Sequence, residues 1–366
     1  MKRLALLLGS LLVVTAAASA KEVVPAPVVV EEAPVQIVEK EVIVYRDKEE
    51  GFRPNGSVDL QYRYYGDTEN DTTKESKWNT NNNSSRTQLT AKINMTEKQT
   101  LEARIRDYNL LDESSTYVTS SGKEVVAPSS TETRLRYWYN HGFLGDSKVN
   151  LTSRVEYKNF DSTQYAEYQA QFDFAEYLFN NDFIKTDYFQ LAPKYRYTWN
   201  DDNSSNYNNQ VGVDLYSFYT LPAGFSAELN VYTTQTFYGQ DQADANGKAQ
   251  DENFTVAVEA YLYNTTNLYT NGNYAVDFVF EGGMDPYTWS QEKLLKQGDA
   301  ATKTTSDSTY SLYAYPALRV SYQATDFVNV YALAGAEYRN YVTTSSHSAQ
   351  DWRWQPTATV GFTTTF

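Results

Sequence analysis

The last ten residues of the chain alternate between apolar and polar positions and end on an aromatic ring. One set of alternate positions is Ala358, Val360, Phe362, Thr364 and Phe366, and the positions between them carry threonine or glycine. Successive side chains of a strand point to opposite faces, so this segment predicts a strand with one fairly apolar face and one small polar face. A strand of this kind, with an aromatic ring at its end, is typical of the wall of a transmembrane β-barrel.

The same alternation recurs along the chain from residue 51 to the end. The first predicted strand covers 56–65 and the last covers 352–366, and these two would pair where the barrel closes. The pattern predicts an all-β protein, a transmembrane antiparallel β-barrel of about 14 strands, within a range of roughly 12 to 16. An even number of strands is the rule for single-chain bacterial barrels.

The lengths of the predicted connections support a barrel. Links after even-numbered strands are short, at 96–99, 221–224 and 324–326. Links after odd-numbered strands are mostly long and polar, at 66–85, 109–130, 238–251 and 282–308. Short periplasmic turns that alternate with long outer loops are typical of outer-membrane barrels, whereas a soluble sandwich has no reason to sort its loops this way.

The N-terminus predicts export from the cytoplasm. Lys2 and Arg3 precede an apolar run at 4–14, and Ala18-Ser19-Ala20 forms a small-residue cleavage site, so residues 1–20 are expected to be a signal peptide. Residues 21–50 are rich in Pro, Val and Glu and lack a strand pattern. They are either a flexible periplasmic tail or a short oligomerising helix. Residues 51–366 form the predicted barrel domain.

Composition excludes several kinds of chemistry. The chain has no cysteine, so it has neither a disulfide framework nor a thiol metal site. Its two histidines, His141 and His347, are expected in a periplasmic turn and in the last outer loop, with no nucleophile or base nearby at a recognisable spacing. No enzyme activity, cofactor or metal site is therefore expected. The net charge of −15 also argues against nucleic-acid binding.

The inward positions of the predicted strands are strongly charged. Strands one to five carry a basic set, which is Arg63, Arg86, Arg104, Arg106, Arg134, Arg136 and Arg154. Later strands carry an acidic set, which is Glu167, Asp173, Glu228, Glu259, Asp277 and Glu281.

These two sets predict opposed basic and acidic arcs around a water-filled pore, which would act on passing ions through a transverse field. Acidic residues also occur among the arginines, at Asp59, Glu102, Glu132 and Glu156. The alternative is therefore that the arginines are neutralised in structural salt-bridge ladders.

Several segments near the N-terminus carry a family resemblance. Lys21-Glu22-Val23 with Pro25-Ala26-Pro27, the run at 41–47, and Pro54-Asn55-Gly56-Ser57-Val58-Asp59 followed by Gln61-Tyr62-Arg63 resemble the FomA-type major outer-membrane porin of fusobacteria. The resemblance implies a homotrimeric, voltage-dependent, rather unselective diffusion channel with a side role as an adhesin. The terminal residues Val360, Phe362 and Phe366 resemble the signal that such barrels present to the barrel-assembly machinery.

The sequence thus predicts a general diffusion porin of a bacterial outer membrane, in contact with lipid and passing ions and small hydrophilic solutes. The alternative function is that of a surface adhesin or a structural barrel with an incidental pore.

Overall fold

The structure, a computed structural model, describes residues 51–68, 83–111, 116–118, 124–126, 130–160, 163–200, 207–244, 246–292, 311–340 and 352–366. The predicted signal peptide, the tail at 21–50 and His347 lie outside the described residues. No helix in the described part of the chain is long and apolar enough to cross a membrane. Within these ranges a short 3-10 turn lies at Ala175–Tyr177.

The described residues form sixteen strands, of which two pair separately from the rest. The strands are β1 (Asn55–Tyr65), β2 (Ser84–Asn94), β3 (Gln99–Leu110), β4 (Thr116–Val118), β5 (Glu124–Val126), β6 (Ser130–Phe143), β7 (Asn150–Phe160), β8 (Thr163–Asp173), β9 (Lys185–Asn200), β10 (Tyr207–Thr220), β11 (Phe225–Ala243), β12 (Ala249–Asn271), β13 (Tyr274–Ser290), β14 (Ser311–Gln323), β15 (Val328–Asn340) and β16 (Trp352–Thr365). Strands β4 and β5 pair only with each other.

The other fourteen strands form one closed barrel in which each strand pairs antiparallel with its neighbours. This confirms the predicted fold and strand number. Alternation of apolar and polar residues allows each strand to place one face toward lipid and the other toward the lumen, and the closed ladder leaves no unpaired edge.

The barrel closes between β1 and β16, as the terminal alternation predicts. The register runs from Ser57 opposite Thr365 to Tyr65 opposite Thr357. Gly56 and Phe366 exchange backbone hydrogen bonds of 3.1 and 3.2 Å at the end of this ladder. The Phe366 ring lies over Gly56, where an added Cβ would come within 3.1 Å of the ring and within 2.4 Å of the Lys92 carbonyl oxygen. Glycine thus gives the terminal ring room to pack at the closure.

The connections are divided between the two ends of the barrel. The rim at which β1 begins and β16 ends, here called the terminal rim, carries the turns 95–98, 144–149, 174–184, 221–224, 272–273 and 324–327. The opposite end, here called the loop rim, carries the other links. Two exceptions to the expected sorting are the two-residue link 161–162 at the loop rim and the link 174–184, which contains the 3-10 turn.

Two of the long loops expected from the sequence are shorter in the structure. The link expected at 238–251 is reduced to 244–248, because β11 and β12 continue as a paired hairpin beyond the barrel wall. The link expected at 282–308 begins only after Ser290, since β13 extends that far. The polar composition of these segments predicted loops. In the structure, cross-strand backbone hydrogen bonds hold part of each segment in a strand.

Apolar side chains cover the outer face of the barrel and remain exposed in the isolated chain. Val360, on the closing strand, is 56% exposed. The same face of other strands carries Leu135, Val155, Leu191, Val213, Leu229, Leu262, Leu318, Val320 and Val330. Exposed aromatic rings lie toward the strand ends, among them Tyr62, Tyr195 and Trp354 near the loop rim and Phe225 and Tyr322 near the terminal rim. Such an apolar band with aromatic ends is the lipid-facing surface of an outer-membrane barrel.

The closure register predicts a specific cross-link, since the chain has no native cysteine. In a Ser57→Cys/Thr365→Cys variant, oxidation should join the first and last strands, because directly opposite residues lie within disulfide range. The product should keep a compact mobility on a denaturing gel without reductant. A Ser57→Cys/Thr363→Cys variant, displaced by two residues on the same face, should cross-link poorly. Equal cross-linking of both variants would contradict the register.

Candidate functional site: the barrel lumen

The lumen is asymmetric, with one packed side and one open side. On the packed side, Gln169 and Ser217 are fully buried, and Asp214 accepts hydrogen bonds from Lys194 at 2.7 Å and Gln169 at 3.1 Å. On the open side are two cavities bounded by strands β1–β3 and β12–β16. Solutes that cross this barrel would therefore pass along the open side.

The two cavities lie next to each other. A cavity of about 350 Å³, here called the lower cavity, includes Asp59 and Thr363 of the closure. A cavity of about 490 Å³, here called the upper cavity, includes Tyr65 and Ser84 at the loop-rim ends of their strands. Arg63 lines both cavities, so its side chain lies at their junction.

Most of the predicted basic set forms a salt-bridge network, here called the paired wall, on β3 and β6–β9. Its ion pairs include Arg134 to Glu102 at 2.6 Å, Arg136 to Glu156 at 2.6 Å, and Arg104 to Glu132. Arg106 donates to Gln88 at 2.6 Å and lies 4.0 Å from Glu132, which also pairs with Lys158 at 2.9 Å.

Part of the pairing in this wall runs diagonally across the strands. Arg104 lies directly opposite Arg134 in the register, and Glu156 lies directly opposite Glu167. Like charges placed directly opposite each other are destabilising, and Arg104 and Arg134 each reach a glutamate two residues along the neighbouring strand instead. Glu156 differs, because it accepts from Arg136 directly opposite it and lies 3.6 Å from Arg154 of its own strand. In this half of the lumen the arginines are neutralised by glutamates, which is the alternative that the sequence left open.

Glu167 belongs to the paired wall rather than to the acidic side with which the sequence grouped it. Its carboxylate lies 2.6 Å from both Arg154 and Arg196, and its side chain is 0% exposed. The grouping by strand number placed Glu167 with the later acidic residues, whereas the register brings it between two arginines. Arg154 also packs over the ring of Tyr216 at 5.7 Å.

A second wall, here called the acidic wall, is formed on β11–β13 by the carboxylates of Glu228, Glu259 and Glu281. Hydroxyl and amide donors surround them. Tyr263 donates to Glu228 at 2.8 Å, Asn230 donates to Glu228 and Glu259, and Tyr313 donates to Glu281. Tyr232 and Tyr261 donate to Glu259. Within the described ranges these three carboxylates form no ion pair, so the acidic wall carries uncompensated negative charge.

Aromatic rings run along the same side of the lumen as the acidic wall. Neighbouring ring centroids are 5.8 to 6.2 Å apart in a row formed by Tyr188, Phe218, Tyr263, Tyr261 and Tyr313. These separations are typical of interacting aromatic pairs. The tyrosine hydroxyls hold the carboxylates while the ring faces border the open path, so this wall offers both negative charge and flat apolar surface.

The remaining residues of the two predicted sets lie in three different environments. Arg63 donates to Thr359 at 3.1 Å and packs over Tyr315 at 5.1 Å, and Arg86 lines the upper cavity. Asp173 accepts the amides of Ala175 and Phe189 and so closes the turn at the terminal rim. Asp277 accepts a hydrogen bond of 2.8 Å from Asn267.

The sequence pattern was not used to place tyrosines in the lumen. Their signal is present in the alternation, since Glu259, Tyr261 and Tyr263 occupy successive positions of one face. The basic residues Lys194, Arg196, Arg319 and Arg339 were missed as well, although each occupies an inward position. No group of three or more His, Cys, Asp or Glu in the described part of the chain could hold a metal ion.

The paired wall predicts a stability cost when one member is neutralised. Glu156→Gln leaves Arg136 without its carboxylate partner and weakens the site of Arg154, so the free energy of unfolding should fall by about 3 kcal/mol. Urea unfolding in lipid vesicles measures this change. Glu176→Gln removes the same charge from an exposed position in the 3-10 turn and should change stability little. A loss no larger than that of the control would show that the network adds no stability.

The sequence matches no protein-family model and no curated protein. Among solved structures, the chain is similar to a bacterial polysaccharide outer membrane secretin, with 11% identity and a TM-score of 0.36 over 85% of this chain and 98% of that one. It is also similar to the outer membrane channel DcaP of Acinetobacter baumannii, with 10% identity and a TM-score of 0.35 over 86% of this chain and 96% of that one. An anion-selective porin from Comamonas acidovorans shares 10% identity at a TM-score of 0.32, over 86% and 99% of the two chains.

Proposed function

We propose that this chain is an outer-membrane porin that passes ions and small hydrophilic solutes by passive diffusion. The observation that carries the proposal is the pair of adjacent polar cavities along one side of a closed fourteen-stranded barrel. A barrel of this size is too wide for side chains to fill completely, so water occupies the remaining space. The width of this space and its charged lining then select solutes by size and charge.

The resemblance to FomA-type fusobacterial porins supports further features of this proposal. The porin would assemble as a homotrimer, respond to voltage, and reach the membrane through the barrel-assembly machinery. Val360 and Phe362 lie exposed on the outer face of β16, and Phe366 packs beside Val58 at the barrel closure. This exposure leaves two of the three proposed signal residues accessible on the last strand.

Surface adhesion is the second candidate function. The observation that favours it is the hairpin formed by β11 and β12, which continues to Ala243 and Ala249, beyond the lipid-facing Leu229 and Val231. Transmembrane strands need only about 9 to 11 residues, so the rest of this hairpin projects from the loop rim. A projecting polar hairpin offers contact surface without requiring any pore.

Purified protein in planar lipid bilayers should produce stable stepwise conductance. The physical reason is that the open side of the lumen connects the two cavities through the junction at Arg63. Correct folding is checked in the same sample by the mobility shift of the barrel on heating. Folded protein that gives no conductance would contradict the porin and leave adhesion as the better candidate.

The unpaired carboxylates should set the ion preference of the pore more strongly than the paired wall does. A Glu228→Gln/Glu259→Gln/Glu281→Gln variant loses uncompensated negative charge, so its reversal potential in a salt gradient should shift toward anions. A Glu102→Gln/Arg134→Gln variant removes an ion pair and leaves the net charge unchanged. Its reversal potential should match that of the unmodified protein. A larger shift in the second variant than in the first would contradict this assignment.

A further inference from the structure

We propose that the upper cavity binds small zwitterions, such as α-amino acids and short peptides, during their passage through the pore. The inference rests on the proposed porin function and names the class of solute that the pore favours. It follows from the placement of arginines, among them Arg86 without an ion-pair partner in the described ranges, on one side of the cavity and of a carboxylate with aromatic rings on the other.

The positive side of the cavity is formed by Arg63, Arg86 and Arg106. Arg86 forms no ion pair with any described residue, and its buried Nε has no hydrogen-bond partner. The Nε of Arg63 donates a hydrogen bond to the neutral hydroxyl of Thr359 at 3.1 Å. Arg134 and Arg154 also have a buried Nε without a partner among the described residues, but each donates to a glutamate through Nη2, which Arg86 does not. A carboxylate placed in the cavity would supply the missing acceptor, since guanidinium groups bind carboxylates through paired hydrogen bonds.

The negative side of the cavity carries Glu281 together with the rings of Tyr261, Tyr263 and Tyr313. Asp285 and Glu337 line the cavity as well, and both form ion pairs with Arg339. Glu281 accepts a hydrogen bond from the Tyr313 hydroxyl through Oε1, and it has no cationic partner in the described ranges. Its other oxygen, Oε2, is therefore able to accept from an ammonium group. The neighbouring ring faces attract cations and also pack against apolar side chains.

These two sides together favour a solute with separated charges over a simple ion. Four arginines and three carboxylates line the cavity. A cation gains from the carboxylates but is repelled by the arginines, and an anion meets the opposite balance. A zwitterion oriented with its ammonium group toward Glu281 and its carboxylate toward Arg86 gains at both ends. The cavity volume of about 490 Å³ lies within the range of small-molecule sites. Glu281 and Arg86 are also carried by strands of the rigid barrel, which keeps the two charges apart.

The test compares phenylalanine with two derivatives that share its ring. N-acetylphenylalanine is an anion, and phenylalaninamide is a cation at about pH 6, where its amino group is protonated. Each compound is added to single channels in a planar bilayer, and the concentration that gives half-maximal current block is measured. Phenylalanine should block at a concentration about tenfold lower than either derivative, since each charged end adds one charge-assisted contact.

Two variants separate the contributions of the two ends. Arg86→Gln should raise the blocking concentration of phenylalanine about tenfold and bring it near that of phenylalaninamide. Glu281→Gln should raise it by a similar factor and bring it near that of N-acetylphenylalanine. The matched controls are Lys92→Gln, on the same face of β2, and Asp277→Asn, on the same face of β13. Both positions lie outside the residues that line the cavity, so their block by phenylalanine should be unchanged.

The outcomes distinguish this inference from the proposed function. Absence of conductance before any compound is added would overturn the porin itself. Normal conductance with equal block by all three compounds would overturn the zwitterion site and leave the porin standing. Stronger block by phenylalaninamide than by phenylalanine would identify the cavity as a cation site and would also overturn the proposal.

Discussion

The hydrogen-bond ladder between β1 and β16 is the contact on which the rest of the structure depends. Lipid offers no partner to a backbone amide or carbonyl, so a sheet can cross a membrane only when its two edge strands pair with each other. The register from Ser57 opposite Thr365 to Tyr65 opposite Thr357 meets this requirement. At the lumenal face of the same ladder, Asp59 accepts from Thr363 at 2.8 Å and Arg63 donates to Thr359 at 3.1 Å. Small polar residues on the last strand thus form hydrogen bonds with the charged residues of the first.

Closure also determines what the inward face must contain. Charges that point into a barrel are partly removed from water, and each needs a partner or remains solvated at the open path. On β3 and β6–β9 the arginines and glutamates are near one another, and they neutralise each other in a packed wall. On β11–β13 the carboxylates have tyrosine and asparagine donors instead. Donors without charge satisfy the hydrogen-bonding capacity of a carboxylate and leave its negative charge in place, so this side keeps a field that the paired wall has lost.

The sequence predicted the architecture well because alternation is a local property. Strand number, the strands that close the barrel, and the inward position of Arg63 or Glu281 all follow from a period of two and from the order of the strands. The ion-pair partners of the charged residues could not be predicted from the alternation, because they depend on the register between strands. Glu167 illustrates this limit. Its inward position is evident from the sequence, but only the register with β7 and β9 brings it between Arg154 and Arg196.

The tyrosines show a second limit, which comes from the chemistry of the side chain. A phenol ring is suited both to a lipid interface and to a polar lumen, so composition alone does not assign it to a face. Tyr261 and Tyr263 alternate with the lipid-facing Leu262, and this parity is what places them in the lumen. In the lumen these rings give the acidic wall its flat surface and position its carboxylates through their hydroxyls. Arg86 faces the same cavity without an ion-pair partner among the described residues. The asymmetry of the lumen therefore results more from the charges that the fold leaves unpaired than from the total number of charges.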